Sequence, residues 1–261
     1  MNYVYKVEGA IAHPQPSAAG PWNPGLQHGG APASLIAWAM ERIPTRDPMQ
    51  VVRMTFDLLR PIPVAPLAIE INVLREGRKI QVCNVTLTHE GVACVRATVL
   101  KIRQADLALP EHLGEEKITL PGPDHGEEVG PLFNADDRFA SGLTLRSVRG
   151  RFDQPGPAAL WFRAHRPIVD GEPITPLMRA AISADFCNGV SSVLDFDQWT
   201  FINADLTVSL ARMPVGEWIL LDAQTWLGDH GAGIAFAKLG DERGYFGRAV
   251  QSLVIEKRVG A

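Results

Sequence analysis

The chain has 261 residues, enough for one large or two small domains with a sizeable core. Its net charge of −4 gives no support for nucleic-acid binding. No long apolar run opens the sequence, so we expect neither a secretory signal nor insertion into a membrane. The cysteines are odd in number and lie in apolar surroundings, which predicts buried thiols in a reducing, cytoplasmic compartment and no metal site. They are Cys83, Cys94 and Cys187.

The first third of the chain predicts a strand, a long loop, a helix and then antiparallel strands. We expect residues 3–12 to form the first strand and residues 13–27, which are rich in Pro, Gly and Ala, to form the loop. Alternating apolar residues after the helix predict four further strands, with hairpin turns at EGRK and Glu90-Gly91. These strands are Val51–Arg60, Leu67–Glu76, Ile80–His89 and Val92–Arg103.

The stretch GLQHGGAPASLIAWAMERIP, residues 25–44, predicts a buried helix. Pro32 falls in the first helical turn, where a missing N–H is tolerated. Apolar residues recur at helical spacing and alanines fill most of the remaining faces, a pattern typical of a buried helix. Gly29 and Gly30 lie just before it and leave the free N–H groups of the first turn open to a close-approaching group.

After an acidic, proline-rich linker over residues 106–136, the second half repeats this order of elements. Thr175 is a good N-cap for a second helix that we expect to end at Asn188-Gly189. Strands are predicted over Phe139–Arg151, Ala158–Arg166, Phe201–Arg212, Trp218–Leu227, Gly233–Leu239 and Gly244–Lys257. The predicted architecture is α+β, with residues 1–105 and 137–261 each forming an antiparallel sheet wrapped around a central helix.

This order of elements resembles the tandem, or double, hotdog fold. More closely, the sequence resembles the acyl-CoA thioesterase II family and its thioesterase-like relatives, over nearly the whole chain. The resemblance depends on three stretches: HGGAPASLIAWAM in the first copy, NADLTVSLARMPVGEWILLDAQTW in the second, and the closing RAVQSLVIEKR. It implies hydrolysis of acyl-CoA to a fatty acid and CoA, in lipid metabolism and without a cofactor.

The resemblance also implies an Asp, a Thr and a Gln that hold the attacking water. Matched by motif, they are Asp205, Thr225 and Gln251. Gln224 and Trp226 flank Thr225 where relatives have a serine or threonine pair, and Ser252 follows Gln251 where relatives have an acidic residue. The residues themselves give partly independent support, because Thr225 and Gln251 are single polar groups on apolar strand faces. Buried polar groups of this kind also occur in purely structural roles, in which they form hydrogen bonds with each other or with the backbone.

Strict alternation turns Asp205 away from the apolar face of its strand, unless it lies at a strand start or a bulge. His28, Gly29 and Gly30 are the candidates for the oxyanion and substrate-binding site, because backbone N–H groups at a helix start suit a developing negative charge. The first copy would then supply the oxyanion site and the second the water site. First-copy equivalents of the water-site residues are Arg53, Leu74 and Val99, which predicts one active site per chain.

Other interpretations stay open at this point. Asp229-His230 is a possible acid–base pair of an enoyl-thioester hydratase or dehydratase, although it falls at a predicted hairpin tip. His28 is a possible catalytic residue, and Asp57 a possible second-site acid. A third alternative is a non-catalytic acyl-thioester binding protein. Exposed sheet faces and aromatic residues such as Trp161, Phe162 and Trp199 favour a homodimer of double hotdogs.

Overall fold

The computed structural model describes residues 3–110, 113, 116–130, 138–152 and 154–258. Part of the predicted linker, 111–112, 114–115 and 131–136, lies outside these residues. Within the described residues, three α-helices accompany a single sheet: α1 (Gly30–Glu41), α2 (Pro176–Ala184) and α3 (Cys187–Val190). The first-copy strands are β1 (Tyr5–Glu8), β2 (Ile11–Pro14), β3 (Met49–Leu58), β4 (Leu67–Glu76), β5 (Ile80–His89) and β6 (Val92–Arg103). The others are β7 (Glu127–Glu128), β8 (Leu143–Arg149), β9 (Ala158–Ala164), β10 (Trp199–Asn203), β11 (Asp205–Leu210), β12 (Trp218–Leu227), β13 (Ala232–Gly240) and β14 (Tyr245–Lys257).

The strands form one 14-stranded sheet in the order β1-β2-β4-β5-β6-β3-β11-β14-β13-β12-β9-β8-β7, with β10 also paired to β14. The two copies meet at the antiparallel β3–β11 pair, where Thr55 lies opposite Thr207. The α+β tandem arrangement expected from the sequence is therefore confirmed, and its sheets join edge to edge. We call the face that packs with α1 and α2 the inner face, and the opposite one the outer face.

The helices form because their residues can be buried together. Every residue of α1 except Trp38 and Glu41 is buried, as the apolar pattern predicts. α2 begins at its predicted cap, where the Thr175 hydroxyl accepts a hydrogen bond from the Met178 N–H. α1 and α2 pack against each other and share one hydrophobic core with the inner face. The start of α1 thereby comes close to the end of α2.

Two local features of the second copy differ from the sequence prediction. α2 ends at Ala184, and Asn188-Gly189 lies inside the short helix α3, so the predicted helix end is wrong. The predicted strand over Phe201–Arg212 is divided at Ala204 into β10 and β11. Asn203 lies opposite Leu253 and Thr207 opposite Val250, so Ala204 and Asp205 together oppose Ser252 in a β-bulge.

The described end of the linker crosses the outer face of the second-copy sheet. Ile118 and Leu120 pack against a small apolar cluster on this face that includes Trp161 and Leu220. The Trp161 indole N–H donates to the Pro121 carbonyl oxygen at 2.9 Å. The linker thus covers Trp161, and Phe162 lies in the inner core, so neither contributes to an exposed apolar surface.

Candidate active site

A buried carboxylate, Asp185, lies at the centre of a polar cluster on the inner face. It follows directly after α2, and its side chain is only 5% exposed. The Gln251 amide nitrogen donates to the Asp185 backbone oxygen at 3.0 Å and contacts Oδ1 at 3.3 Å. The Asn203 amide nitrogen donates to the same Oδ1 at 3.0 Å. Two side chains from the second-copy sheet therefore fix one carboxylate oxygen.

The Gln251 and Asn203 side-chain amides differ in which of their polar atoms have protein partners. Gln251 is fully buried, its Oε1 accepts from the Asn188 N–H at 3.1 Å, and both of its amide hydrogens face Asp185. Asn203 is partly exposed, and its carbonyl oxygen and second amide hydrogen have no protein partner among the described residues. Gln251 can therefore hold Asp185, whereas Asn203 can also bind a small molecule beside it.

The first copy completes the cluster with the start of α1. A Cβ atom on Gly29 would lie 2.6 Å from Asp185 Oδ1, so only glycine allows the backbone to come this close. Placing a carboxylate at the C-terminal end of α2 is unfavourable for the helix dipole, but the positive end of α1 faces the same group. The two copies therefore form one site within a single chain.

The N–H groups at the start of α1 have different partners. Gly30 N lies 3.0 Å from His28 Nδ1, within hydrogen-bond distance. Gly29 N–H has no acceptor among the described residues, so it is available to a ligand. His28 Nδ1 also lies 2.9 Å from Asp185 Oδ2. Of the three residues predicted for the oxyanion site, all lie at the cluster, but only Gly29 offers a free backbone donor.

Asp205, the base expected from the motif, does not lie in this cluster. Its carboxylate accepts a hydrogen bond from the Ser252 N–H on the outer face. Leu206, the next residue along β11, is buried on the inner face with Gln251. The bulge at Ala204 does alter the alternation, as considered for Asp205, but it turns Asn203 inward and leaves Asp205 outside. Asp57 lies opposite Asp205 and shares its face.

Thr225 lies on the inner face but is separated from Gln251 by strand β13. It pairs with Ala235, which in turn pairs with Gln251, a spacing of about 10 Å across two strand intervals. The Thr225 hydroxyl hydrogen-bonds the buried Ser191 hydroxyl at 2.8 Å, and Ser191 donates to the Cys187 carbonyl oxygen. Thr225 therefore anchors α3 to the sheet and does not contact Asp185.

The first copy has no equivalent cluster. Alignment of the helix caps Gly29 and Thr175 places Ala39 where the second copy has Asp185. β3 has a register shift between Val51 and Arg53 that corresponds to the bulge at Ala204. This alignment places Val51 and Val99 at the positions of Asn203 and Gln251. All three equivalents are apolar and buried.

Family models match both halves of the chain. The acyl-CoA thioesterase N-terminal domain matches residues 18–102, and the acyl-CoA thioesterase C-terminal domain matches residues 115–255. The chain belongs to the acyl-CoA thioesterase family. It is accordingly a thioester hydrolase.

Similar solved structures agree on the fold of this thioesterase. One is a conserved protein of unknown function with a hotdog fold from Alicyclobacillus acidocaldarius, with 18% identity, TM-score 0.76, and coverage of 98% of this chain and 96% of that one. A candidate thioesterase II from Thermobifida fusca gives 17% identity, TM-score 0.75 and the same coverages. An acyl-CoA thioesterase II, TesB2, from Mycobacterium marinum gives 16% identity, TM-score 0.69, and coverages of 98% and 96%. The tandem hotdog prediction is confirmed. A search of curated proteins found no match.

Sequence reasoning missed Asp185 and Asn203 for identifiable reasons. Asp185 is the last residue of the apolar helix pattern LMRAAISAD. A lone carboxylate is unfavourable at a helix C-terminus, so its presence there could have indicated a functional residue. Asn203 was missed because the bulge at Ala204 changes which face its side chain lies on, and the alternation of apolar and polar residues in the sequence does not reveal a bulge.

Asp229 and His230 are exposed in the turn between β12 and β13. Within the described ranges, no group of metal-ligating side chains could hold an ion, and no helix is long and apolar enough to cross a membrane.

Proposed function

We propose that this thioesterase hydrolyses acyl-CoA by direct attack of water, with Asp185 as the general base. The observation that carries the proposal is a buried carboxylate held by Gln251 and Asn203 against the N-terminus of α1. The proposal replaces Asp205 and Thr225 with Asp185 and Asn203 and keeps Gln251.

Each group has a distinct task in this mechanism. Asn203, with a free carbonyl oxygen and amide hydrogen, orients the water beside Asp185. Asp185 removes a proton from the water as its oxygen attacks the thioester carbon. Gln251 contacts only protein groups and keeps the carboxylate in place. The tetrahedral intermediate then collapses with cleavage of the C–S bond, and the proton held by Asp185 passes to the departing thiolate, which regenerates the carboxylate.

The negative charge on the carbonyl oxygen needs a donor on the side opposite the water. Gly29 N–H is the free backbone donor at the start of α1, next to the positive end of the helix dipole. In this scheme the first copy stabilises the oxyanion and the second activates the water, as the sequence suggested. The site requires no cofactor.

One observation favours a second candidate, hydration of an enoyl thioester. His28 and Asp185 form a close, buried pair, with 2.9 Å between Nδ1 and Oδ2. Such a pair could supply the acid and base for adding water to a carbon–carbon double bond. The sequence pointed instead to Asp229-His230, which lies in an exposed turn.

The test is release of free thiol from a panel of acyl-CoA esters, with enoyl-CoA hydration followed in parallel. We expect thiol release from the wild-type protein and a decrease in kcat of about 10²–10⁴-fold in Asp185→Asn, which keeps the shape and removes the base. Asp205→Asn is the matched control and should hydrolyse normally. Hydration without thiol release would favour the second candidate, and a loss of activity confined to Asp205→Asn would restore the motif-based site.

We also infer that the enzyme acts in cytoplasmic lipid metabolism as a homodimer. Three buried free cysteines support a reducing compartment, because the same thiols in an oxidising one would favour disulfides. Exposed apolar side chains on the outer face of the sheet, among them Trp226, support the dimer.

A further inference from the structure

The His28 side chain is enclosed by neighbouring aromatic rings. Its ring stacks between Phe139 and Phe186, with centroid distances of 5.1 and 4.5 Å and interplanar angles of 22° and 29°. Both phenylalanines are buried, and the His28 side chain is only 12% exposed. The clamp fixes the direction of Nδ1, which lies within hydrogen-bond distance of Asp185 Oδ2 and of Gly30 N.

One ring nitrogen cannot serve both neighbours in the same way. An Nδ1 that carries a proton donates to the Asp185 carboxylate, whereas a bare Nδ1 accepts from Gly30 N–H. A bare Nδ1 beside an ionised carboxylate would place two lone pairs against each other at 2.9 Å. A protonated Nδ1 leaves the Gly30 N–H beside a second donor, but that contact is between neutral groups, whereas the Asp185 contact involves a full charge. An ionised Asp185, which a general base must be, therefore favours the proton on Nδ1.

We propose that His28 is a positioning residue whose Nδ1–H holds the Asp185 carboxylate in the correct orientation for attack by water. The inference rests on the proposed function, in which Asp185 is the base. His28 binds Oδ2 and the two amides bind Oδ1, so the carboxylate is fixed through both oxygens. The first copy thus controls the base of the second, in addition to supplying the oxyanion donor.

Few other ionisable groups can act on this pair. The Cys187 thiol lies nearby on α3, and burial, reinforced by the Asp185 charge, raises its pKa, so it stays neutral. Arg138, next to Phe139, donates to the carbonyl oxygens of Gly20 and Pro21. Within the described residues, Asp185 is the one ionisable side chain in contact with His28 through its polar atoms.

Two substitutions of His28 distinguish the effect of its Nδ1–H donor from the effect of the volume of its ring. His28→Leu keeps an apolar side chain between the two phenylalanines but removes the donor. We expect kcat for acyl-CoA hydrolysis to fall about 10- to 100-fold, the usual effect of losing a hydrogen bond to a charged group. KM should change little, because His28 contacts the Asp185 carboxylate and not the substrate.

His28→Asn places an amide N–H near the position of Nδ1, and we expect it to restore most of kcat at an unchanged KM. His89→Asn, at an exposed histidine, is the matched control and should not alter either quantity. A His28→Leu enzyme with wild-type kcat would overturn the inference, as would equal losses of kcat in His28→Leu and His28→Asn.

A measurement on the wild-type protein covers the case in which His28→Leu does not fold. Nitrogen-15 NMR of histidine-labelled protein reports which ring nitrogen of His28 carries the proton. We expect Nδ1 to be protonated at the pH of maximal activity, and a proton on Nε2 alone would contradict the inference. If the wild-type protein releases no thiol from any ester, the proposed function fails, while the NMR result still tests the His28–Asp185 contact.

Discussion

A single missing side chain lets the two copies share one site. Gly29 has an ordinary helical φ of −58°, so it is required for its lack of a Cβ and not for backbone freedom. The space that a Cβ would occupy is taken by the Asp185 carboxylate. The distance between the proposed oxyanion donor and the proposed base is thus set by van der Waals contact.

Gly29→Ala tests this contact. We expect the methyl group to displace the carboxylate from Asn203 and Gln251, so that kcat falls at least tenfold, since small displacements of catalytic groups are costly. Gly122→Ala, where an added Cβ meets no atom within 4 Å, is the control and should be neutral. An unchanged kcat and Tm in Gly29→Ala would mean that Gly29 is an ordinary loop glycine.

Among the elements, the second-copy strands depend on a buried ion pair at one end. Asp241, fully buried after β13, accepts hydrogen bonds from Arg212 and from the N–H groups of Val215 and Arg243. These contacts connect the β13–β14 turn to the segment between β11 and β12. Burial alone would raise the pKa of the Asp241 carboxyl, but the hydrogen bonds from Arg212 and the backbone outweigh it and lower the pKa.

Because the pKa is lowered by folding, the Asp241 carboxylate stabilises the protein above the unfolded-state pKa of about 3.9. This contribution is lost as the pH falls through the lower, folded-state pKa. We expect Asp241→Asn to reduce the free energy of unfolding by about 3–5 kcal/mol at pH 7, since Arg212 loses the opposite charge of its carboxylate partner. In urea unfolding at several pH values, the difference in unfolding free energy between the wild-type protein and Asp241→Asn should decrease below about pH 4.

The control for this experiment is Asp229→Asn, in the exposed turn at the other end of β13. It should leave the unfolding free energy within about 0.5 kcal/mol of the wild-type value. A similar pH dependence in both variants would show that Asp241 makes no special contribution.

For the whole molecule, the continuous sheet leaves an apolar patch on its outer face. Ile202, Trp226 and Val254 are 58%, 62% and 48% exposed. Ile202 lies opposite Val254, and Trp226 lies opposite Ile234 on the neighbouring strand. The linker covers a different part of this face, around Trp161. The patch is therefore the surface that we expect to pair in the predicted homodimer.

Light scattering at low protein concentration tests the assembly. We expect a species of about twice the chain mass of 28.4 kDa, because closed two-fold dimers are the commonest homo-oligomers. Trp226→Glu should convert it to the monomer, whereas Leu74→Glu, an equally exposed apolar residue in the first copy, should not. A wild-type species at the mass of a single chain would exclude the dimer.

The sequence by itself determined the repeated order of elements, because helical and alternating patterns are local and were read correctly for α1, the cap of α2 and most strands. It also indicated Gln251, a lone polar residue on an apolar strand, and the glycines before α1. Only the tertiary structure decided which carboxylate faces Gln251. A one-residue bulge at Ala204 reverses the side-chain direction, and Asp185 meets Gly29 across a separation of 156 positions in the chain. Neither effect leaves a periodic signal, because each depends on how the two copies pack together.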